Sequence, residues 1–172
     1  MVAELEKSAR IEWSGKRETI YYYMTRTNLD DLPFNLISKS IIIRNIRKDE
    51  LQEFVDLVNE SLTHCPDPFI SMTLDFAEKW PLEQTLVAEV DGKIVGFLMF
   101  ESRGKIGLPV QLGVLPKYRR RGVGTSLLLT LLRNFKNRGI EEVRMKVFKN
   151  NVPALTLYKK LKFKVYGVTI EE

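Results

Sequence analysis

Along residues 123–138 the apolar residues Val123, Leu127, Leu131 and Phe135 recur every four positions, with Leu128 and Leu132 beside them. That spacing predicts an amphipathic helix, stopped by Gly139. A second helical stripe, Leu51, Phe54, Val55 and Val58, runs through RKDELQEFVDLVNESL. Elsewhere the apolar positions alternate or run together, as strands require. SIIIRNI (40–46), LPVQLGVL (108–115), EEVRMKVF (141–148) and the closing FKVYGVTI read this way. QTLVAEV and IVGFLMF form a hairpin across Asp91-Gly92. TLDFAEKW reads as a short helix, and Asn151 caps a final one, with Pro153 tolerated in its first turn. THCPDPFI is a loop, because Pro66 and Pro68 break regular structure.

The resulting order, β-α-(α)-β-β-β-α-β-α-β, predicts an α/β domain with a mixed sheet over residues 40–172. Ahead of it, ARIEW-SGK-RETIYYYMT reads as two strands around Ser14-Gly15, and NLDDLPFNLISKS as a connection broken at Pro33. Residues 1–39 are therefore expected to be an N-terminal extension. Periodicity leaves open whether it shapes a substrate groove, makes a homodimer contact or acts as a clamp.

A chain of 172 residues suits one domain with a real core. Cys65 is the only cysteine, which removes a disulfide framework and a cysteine-rich metal site. No metal is expected, and a reducing, cytoplasmic compartment is. No apolar run approaches the ~20 residues of a membrane span, and the first ten residues are charged and polar, unlike a secretory signal. The net charge of +5 conceals a division: residues 117–164 carry 14 Lys/Arg and 2 Asp/Glu, while the remainder is acidic on balance. The basic part suits a polyanion and the acidic part a cationic substrate.

The densest basic stretch, Arg119, Arg120 and Arg121, directly precedes Gly122 and Gly124 and the start of the 123–138 helix. A helix N-terminus presents N–H groups without partners and partial positive charge, so an anion placed there gains several hydrogen bonds. Glycines let the main chain approach it closely. The GxxxxGK[ST] phosphate loop is absent, and the dinucleotide fingerprint lacks its third glycine, Leu127 standing in that place.

Arg119-x-x-Gly122-x-Gly124, inside LGVLPKYRRRGVGTSLL, resembles the R/Q-x-x-G-x-G/A signature of the GNAT superfamily of acyl-CoA N-acyltransferases. NVPALTLYKKLKF resembles a second motif of that family through Asn151, Ala154, Tyr158 and Phe163. The resemblance, from about residue 40 onward, implies a mostly antiparallel mixed sheet with helices on both faces and acetyl-CoA as acetyl donor. It further implies that backbone amides from Arg119 through Thr125, with Val123 among them, hold the pyrophosphate, the arginine side chains raising the potential around it. Leu112, Gly113 and Val114 would pair with the pantetheine arm in the opening between two splayed strands. Asn151 and Ala154 would lie along the cofactor, and Tyr158 would protonate the leaving thiolate, its free phenol having a pKa of about 10. An amide near Val114 would polarise the thioester carbonyl. The implied activity is acetyl transfer to a primary amine, first of all on a protein or peptide, by direct attack through a tetrahedral intermediate.

The stretch 108–112, where relatives often carry a Glu or His base, has no titratable side chain. Glu101 is the nearest candidate, with Glu89 second and His64 in the proline-rich loop third; water is the alternative. Lys162 stands where relatives often have glycine. Two other readings remain: a small-molecule amine acetyltransferase, and a non-catalytic module binding acetyl-CoA or nucleic acid. Against nucleic acid, the basic residues cluster at a glycine turn instead of interleaving with exposed aromatics.

Overall fold

A computed structural model describes residues 19–63, 65 and 71–171. They form β1 (Thr19–Thr27), β2 (Ile42–Asn45), α1 (Leu51–Leu62), α2 (Leu74–Lys79), β3 (Thr85–Val90), β4 (Lys93–Arg103), β5 (Ile106–Val114), α3 (Val123–Asn137), β6 (Glu142–Phe148), α4 (Val152–Lys160) and β7 (Lys164–Glu171). The strands make a single sheet in the order β2-β3-β4-β5-β6-β1-β7. Every neighbouring pair is antiparallel except β5 and β6. From β2 onward the elements fall where the hydrophobic pattern put them. The predicted turn is sharp: Asp91 (φ 50°) and Gly92 (φ 77°) are both left-handed, the geometry a two-residue hairpin needs. Gly139 (φ 79°) ends α3, with the Ile140 N–H reaching back to the Phe135 carbonyl at 3.0 Å.

Strand β1 takes a place in the sheet that the hydrophobic pattern did not assign. The first expected arm, around residues 10–13, lies outside the described residues. The second arm is β1, and it is paired on both sides, with β6 through Tyr21–Thr27 and with β7 through Thr19–Thr25. Both of its edges are therefore used along Tyr21–Thr25. The strand read as an extension sits within the sheet because its alternating residues Tyr22 and Met24 are buried with Val143, Met145 and Val147 of β6.

Helices cover opposite faces of β4. On one, Phe54 of α1 meets Phe97 edge-on with ring centroids 5.7 Å apart. On the other, Phe135 of α3 meets Phe100 edge-on at 5.6 Å. Side chains alternate across a strand, so Phe97 and Phe100 point to different sides. Gly107 of β5 exists for this packing, since a Cβ there would lie 2.4 Å from the Phe135 ring. At the outer edge, Arg44 of β2 donates to Glu89 of β3 (2.8 Å) and to both oxygens of Glu50 (2.6 and 2.9 Å). Hydrogen bonding from Arg44 holds the Glu50 carboxyl below its ordinary value of 4.5.

Two outcomes follow from this packing. Gly107→Ala should lower stability by about 2 kcal/mol through overpacking, a fall in Tm of about 6 °C in a thermal melt. Because the pKa of Glu50 is depressed in the folded chain, its ion pair stabilises above the ordinary value and the contribution is lost as pH falls below it. The Tm of the parent should therefore fall more steeply than that of Glu50→Gln between about pH 5 and pH 3.

Candidate active site

The parallel contact between β5 and β6 is brief. Ile106 and Gly107 pair with Glu142 and Val143, and beyond them the strands part. The cause lies in β5 itself. Pro109 has no N–H to donate, and Val110 is an extra residue, since Met99 of β4 faces Gln111 while Phe100 faces Pro109. From Pro109 to Val114, β5 instead lines a cleft of about 300 Å³. Met145, Lys146 and Val147 of β6 form the facing edge, and Asn151, Ala154, Leu157 and Tyr158 of α4 form a further wall.

The N-terminus of α3 lies at one end of this cleft, where Gly124 lines it. Arg120 (φ 61°) and Gly122 (φ 79°) both adopt left-handed backbone, which wraps the turn about the helix start. Ser126 is the first residue of α3 to bond back, to the Gly122 carbonyl at 2.9 Å. The N–H groups of Val123, Gly124 and Thr125 precede it and have no acceptor within the helix. A Cβ at Gly124 would lie 3.6 Å from Leu157 and 3.9 Å from Val114, ordinary contact distances, so this position has room for alanine.

The site residues expected from sequence divide into three groups. Leu112, Gly113, Val114, Gly124, Asn151, Ala154 and Tyr158 are brought together around the cleft. Arg120, Arg121, Gly122, Val123 and Thr125 stand at the adjoining helix start; the side chains of Arg120 and Arg121 are exposed, and Arg121 lies over the Tyr118 ring at 5.5 Å. Arg119 lines the cleft as well, with its side chain held by main-chain carbonyls. Its guanidinium donates to the Ser61 carbonyl (2.8 Å) and the Val114 carbonyl (3.1 Å), and its own N–H to Pro116 (3.4 Å). It ties the end of α1 to the end of β5. Gly113 serves the same junction, since a Cβ there would lie 2.5 Å from Phe97 and 2.7 Å from the Ser61 hydroxyl.

The base candidates are not gathered at the cleft. Glu101 is on β4 opposite Leu108, does not line the cleft, and sits 3.6 Å from Arg103. Glu89 is held by Arg44. His64 lies outside the described residues. Among the described residues no group of His, Cys, Asp and Glu could hold a metal ion, and no helix is long and apolar enough to cross a membrane.

Sequence reading missed Ser61, Cys65 and Lys146 as cleft residues. Alternation identified β6 as a strand, but nothing in it says which edge stays unpaired. For Cys65 the signal was spatial only: the Asn151 amide nitrogen is 3.8 Å from its sulfur, across 86 positions of chain. Asn151 also performs its local task, its side-chain oxygen accepting from the Ala154 N–H at 3.2 Å to cap α4. Tyr158 packs against Phe163 at 6.0 Å. Lys162 does take the left-handed conformation (φ 62°) that glycine would favour.

The sequence pattern of the Acetyltransferase (GNAT) family matches residues 45–163. The chain belongs to that family. Family members draw on acetyl-CoA as donor, and the opened strand pair with a helix N-terminus at its end is the part of this fold that suits such a molecule. The chain is 41% identical over 91 residues to an N-alpha-acetyltransferase of Sulfurisphaera tokodaii, an alignment spanning 45% of this chain and 54% of the relative. It is 29% identical over 140 residues to an N-alpha-acetyltransferase of Saccharolobus solfataricus, spanning 73% of this chain and 81% of the relative. An N-acetyltransferase of known structure from Sphaerobacter thermophilus superimposes with a TM-score of 0.73 at 20% identity, covering 99% of this chain and 55% of that one.

The placement of Arg119 gives a direct test within this GNAT chain. Arg119→Ala should lower Tm by several degrees, because two charged-donor bonds, each worth about 1.5–3 kcal/mol when buried and less where solvent reaches them, are lost. Arg120→Ala and Arg121→Ala should leave Tm within about a degree.

Proposed function

We propose that this chain transfers the acetyl group of acetyl-CoA to the α-amino group of a protein or peptide. The observation that carries the reading is the cleft between β5 and β6. The β6-facing edge of β5, Gly124 at the start of α3 and Tyr158 all line it, which supports the reading. Its acceptor side rests on the resemblance to two relatives named N-alpha-acetyltransferase.

In this reading the phosphates of acetyl-CoA sit on the N–H groups of Val123, Gly124 and Thr125, where hydrogen bonding and the helix dipole both favour anions. The pantetheine arm runs along β5 at Leu112 to Val114 and past Asn151. The neutral amine attacks the thioester carbon, the carbon–sulfur bond breaks, and Tyr158 delivers a proton to the departing thiolate. The described cleft lining is built of apolar groups, amides, hydroxyls, a thiol, Arg119 and Lys146. Such a lining suits an acceptor that arrives already neutral. With a pKa of about 7.7–8.0, an α-amino group meets that condition near pH 8, where a lysine side chain at about 10.4 remains protonated. Water then carries the proton released on attack.

Binding is measured first, by the Tm with acetyl-CoA, free CoA and ATP. A ligand at ~100 times its Kd adds about 2.7 kcal/mol, a rise of several degrees expected for the first two and not for ATP. Acceptor choice is measured with a peptide bearing a free α-amine, the same peptide blocked there but carrying lysine, and small alkylamines. Only the first is expected to turn over efficiently. Turnover of the lysine peptide or the alkylamines alone would overturn the α-amine assignment. Tyr158→Phe should lower kcat by about 10²-fold while leaving the acetyl-CoA-induced Tm rise intact.

A further inference from the structure

The face of the sheet formed by β6, β1 and β7 opposite to Tyr22, Met24, Val143, Met145 and Val147 carries no buried side chain. Alternation and register bring Tyr21 and Tyr23 of β1 onto it beside Phe148 and Lys146 of β6. Its rings lie in pairs, Tyr21 with Phe148 at 5.8 Å and Tyr23 with Tyr166 of β7 at 5.9 Å. Lys146 stretches over the Tyr21 ring (4.1 Å) to pair with Glu171, and Arg144 covers Tyr166 (6.0 Å) while donating to Glu142 at 2.9 Å. Lys146 also lines the cleft. The face therefore begins where the cleft ends, and it runs across β1 to the half-exposed Tyr166 at the edge of the sheet.

Three features of this face select an occupant. It is continuous, through Lys146, with the cleft in which the proposed reaction takes place. It crosses two strand spacings, roughly 10 Å, which is about the length of three extended residues and beyond the reach of a small amine held in the cleft. Its two aromatic-contacting cations are each matched by a carboxylate, and Lys164 opposite Thr25 adds a single further cation, too little charge to draw a polyanion. Tyrosine rings offer rigid, amphipathic contact area to a peptide at low entropic cost. Resting on the reading that the acceptor is a peptide α-amine, we propose that this face is the acceptor subsite. The first two residues enter the cleft at Lys146, and the residues after them lie across Tyr21, Tyr23 and Tyr166.

The test compares a dipeptide amide with a longer peptide that shares its first two residues, both with free α-amines, in steady-state acetylation. Tyr23→Ala and Tyr166→Ala should each raise KM for the longer peptide about tenfold, a difference of about 1.4 kcal/mol. They should leave kcat, the dipeptide KM and the acetyl-CoA-induced Tm rise unchanged. Normal dipeptide turnover with no selective effect on the longer peptide overturns the subsite alone. A parent chain that binds acetyl-CoA but acetylates neither peptide overturns the acceptor reading and the subsite with it. A parent that sediments as a dimer dissociated by Tyr166→Ala would assign the face to a second copy of the chain and overturn the proposal.

Discussion

The structure turns on how short the contact between β5 and β6 is. Two residues of β5 reach two of β6, and then the sheet opens. An open strand edge inside a sheet leaves backbone N–H and C=O groups that must find other partners, and here that edge forms one wall of the cleft. Pro109 and the extra residue Val110 start the opening by disrupting the ladder. Arg119 and Gly113 hold the far end by fastening β5 to the last turn of α1. The cleft is thus supported from the α1 side and left clear toward α3 and α4.

That division explains why two neighbouring parts of one motif do different work. Gly122 adopts the left-handed backbone that turns the chain into α3, and Gly124 lines the cleft beside it. All three arginines are exposed, but only the leading one bonds main-chain carbonyls, those of Ser61 and Val114. Charge alone would have grouped all three at the anion. A guanidinium presents five donors in a fixed fork, so it can bridge two strand or helix ends as readily as it binds phosphate. Geometry decides between these uses.

The charge division of the chain is moderated in the same way. Within the basic 117–164 region, Arg144 and Lys146 are matched by Glu142 and Glu171. Hydrogen bonding from Arg144 and then Thr25 lowers the Glu142 carboxyl below its ordinary value, keeping that partner ionised. The face of β6, β1 and β7 is therefore aromatic and nearly balanced, although the segment supplying one of its strands is strongly basic by count.

Local pattern determined the elements from β2 to β7, the Asp91-Gly92 turn, the Asn151 cap and the glycine turn before α3, because each depends on neighbours within a few residues. The paired motifs around Gly122 and Tyr158 carried the family for the same reason. Tertiary structure alone decided that β1 lies between β6 and β7, since strand pairing joins residues more than a hundred positions apart and alternation is blind to the choice of neighbour. It alone brought Cys65 beside Asn151 and Lys146 to the cleft, and it alone fastened Arg119 to the Ser61 and Val114 carbonyls. Those outcomes rest on contacts across the chain, where a side chain's role is set by which partners folding brings within hydrogen-bonding distance.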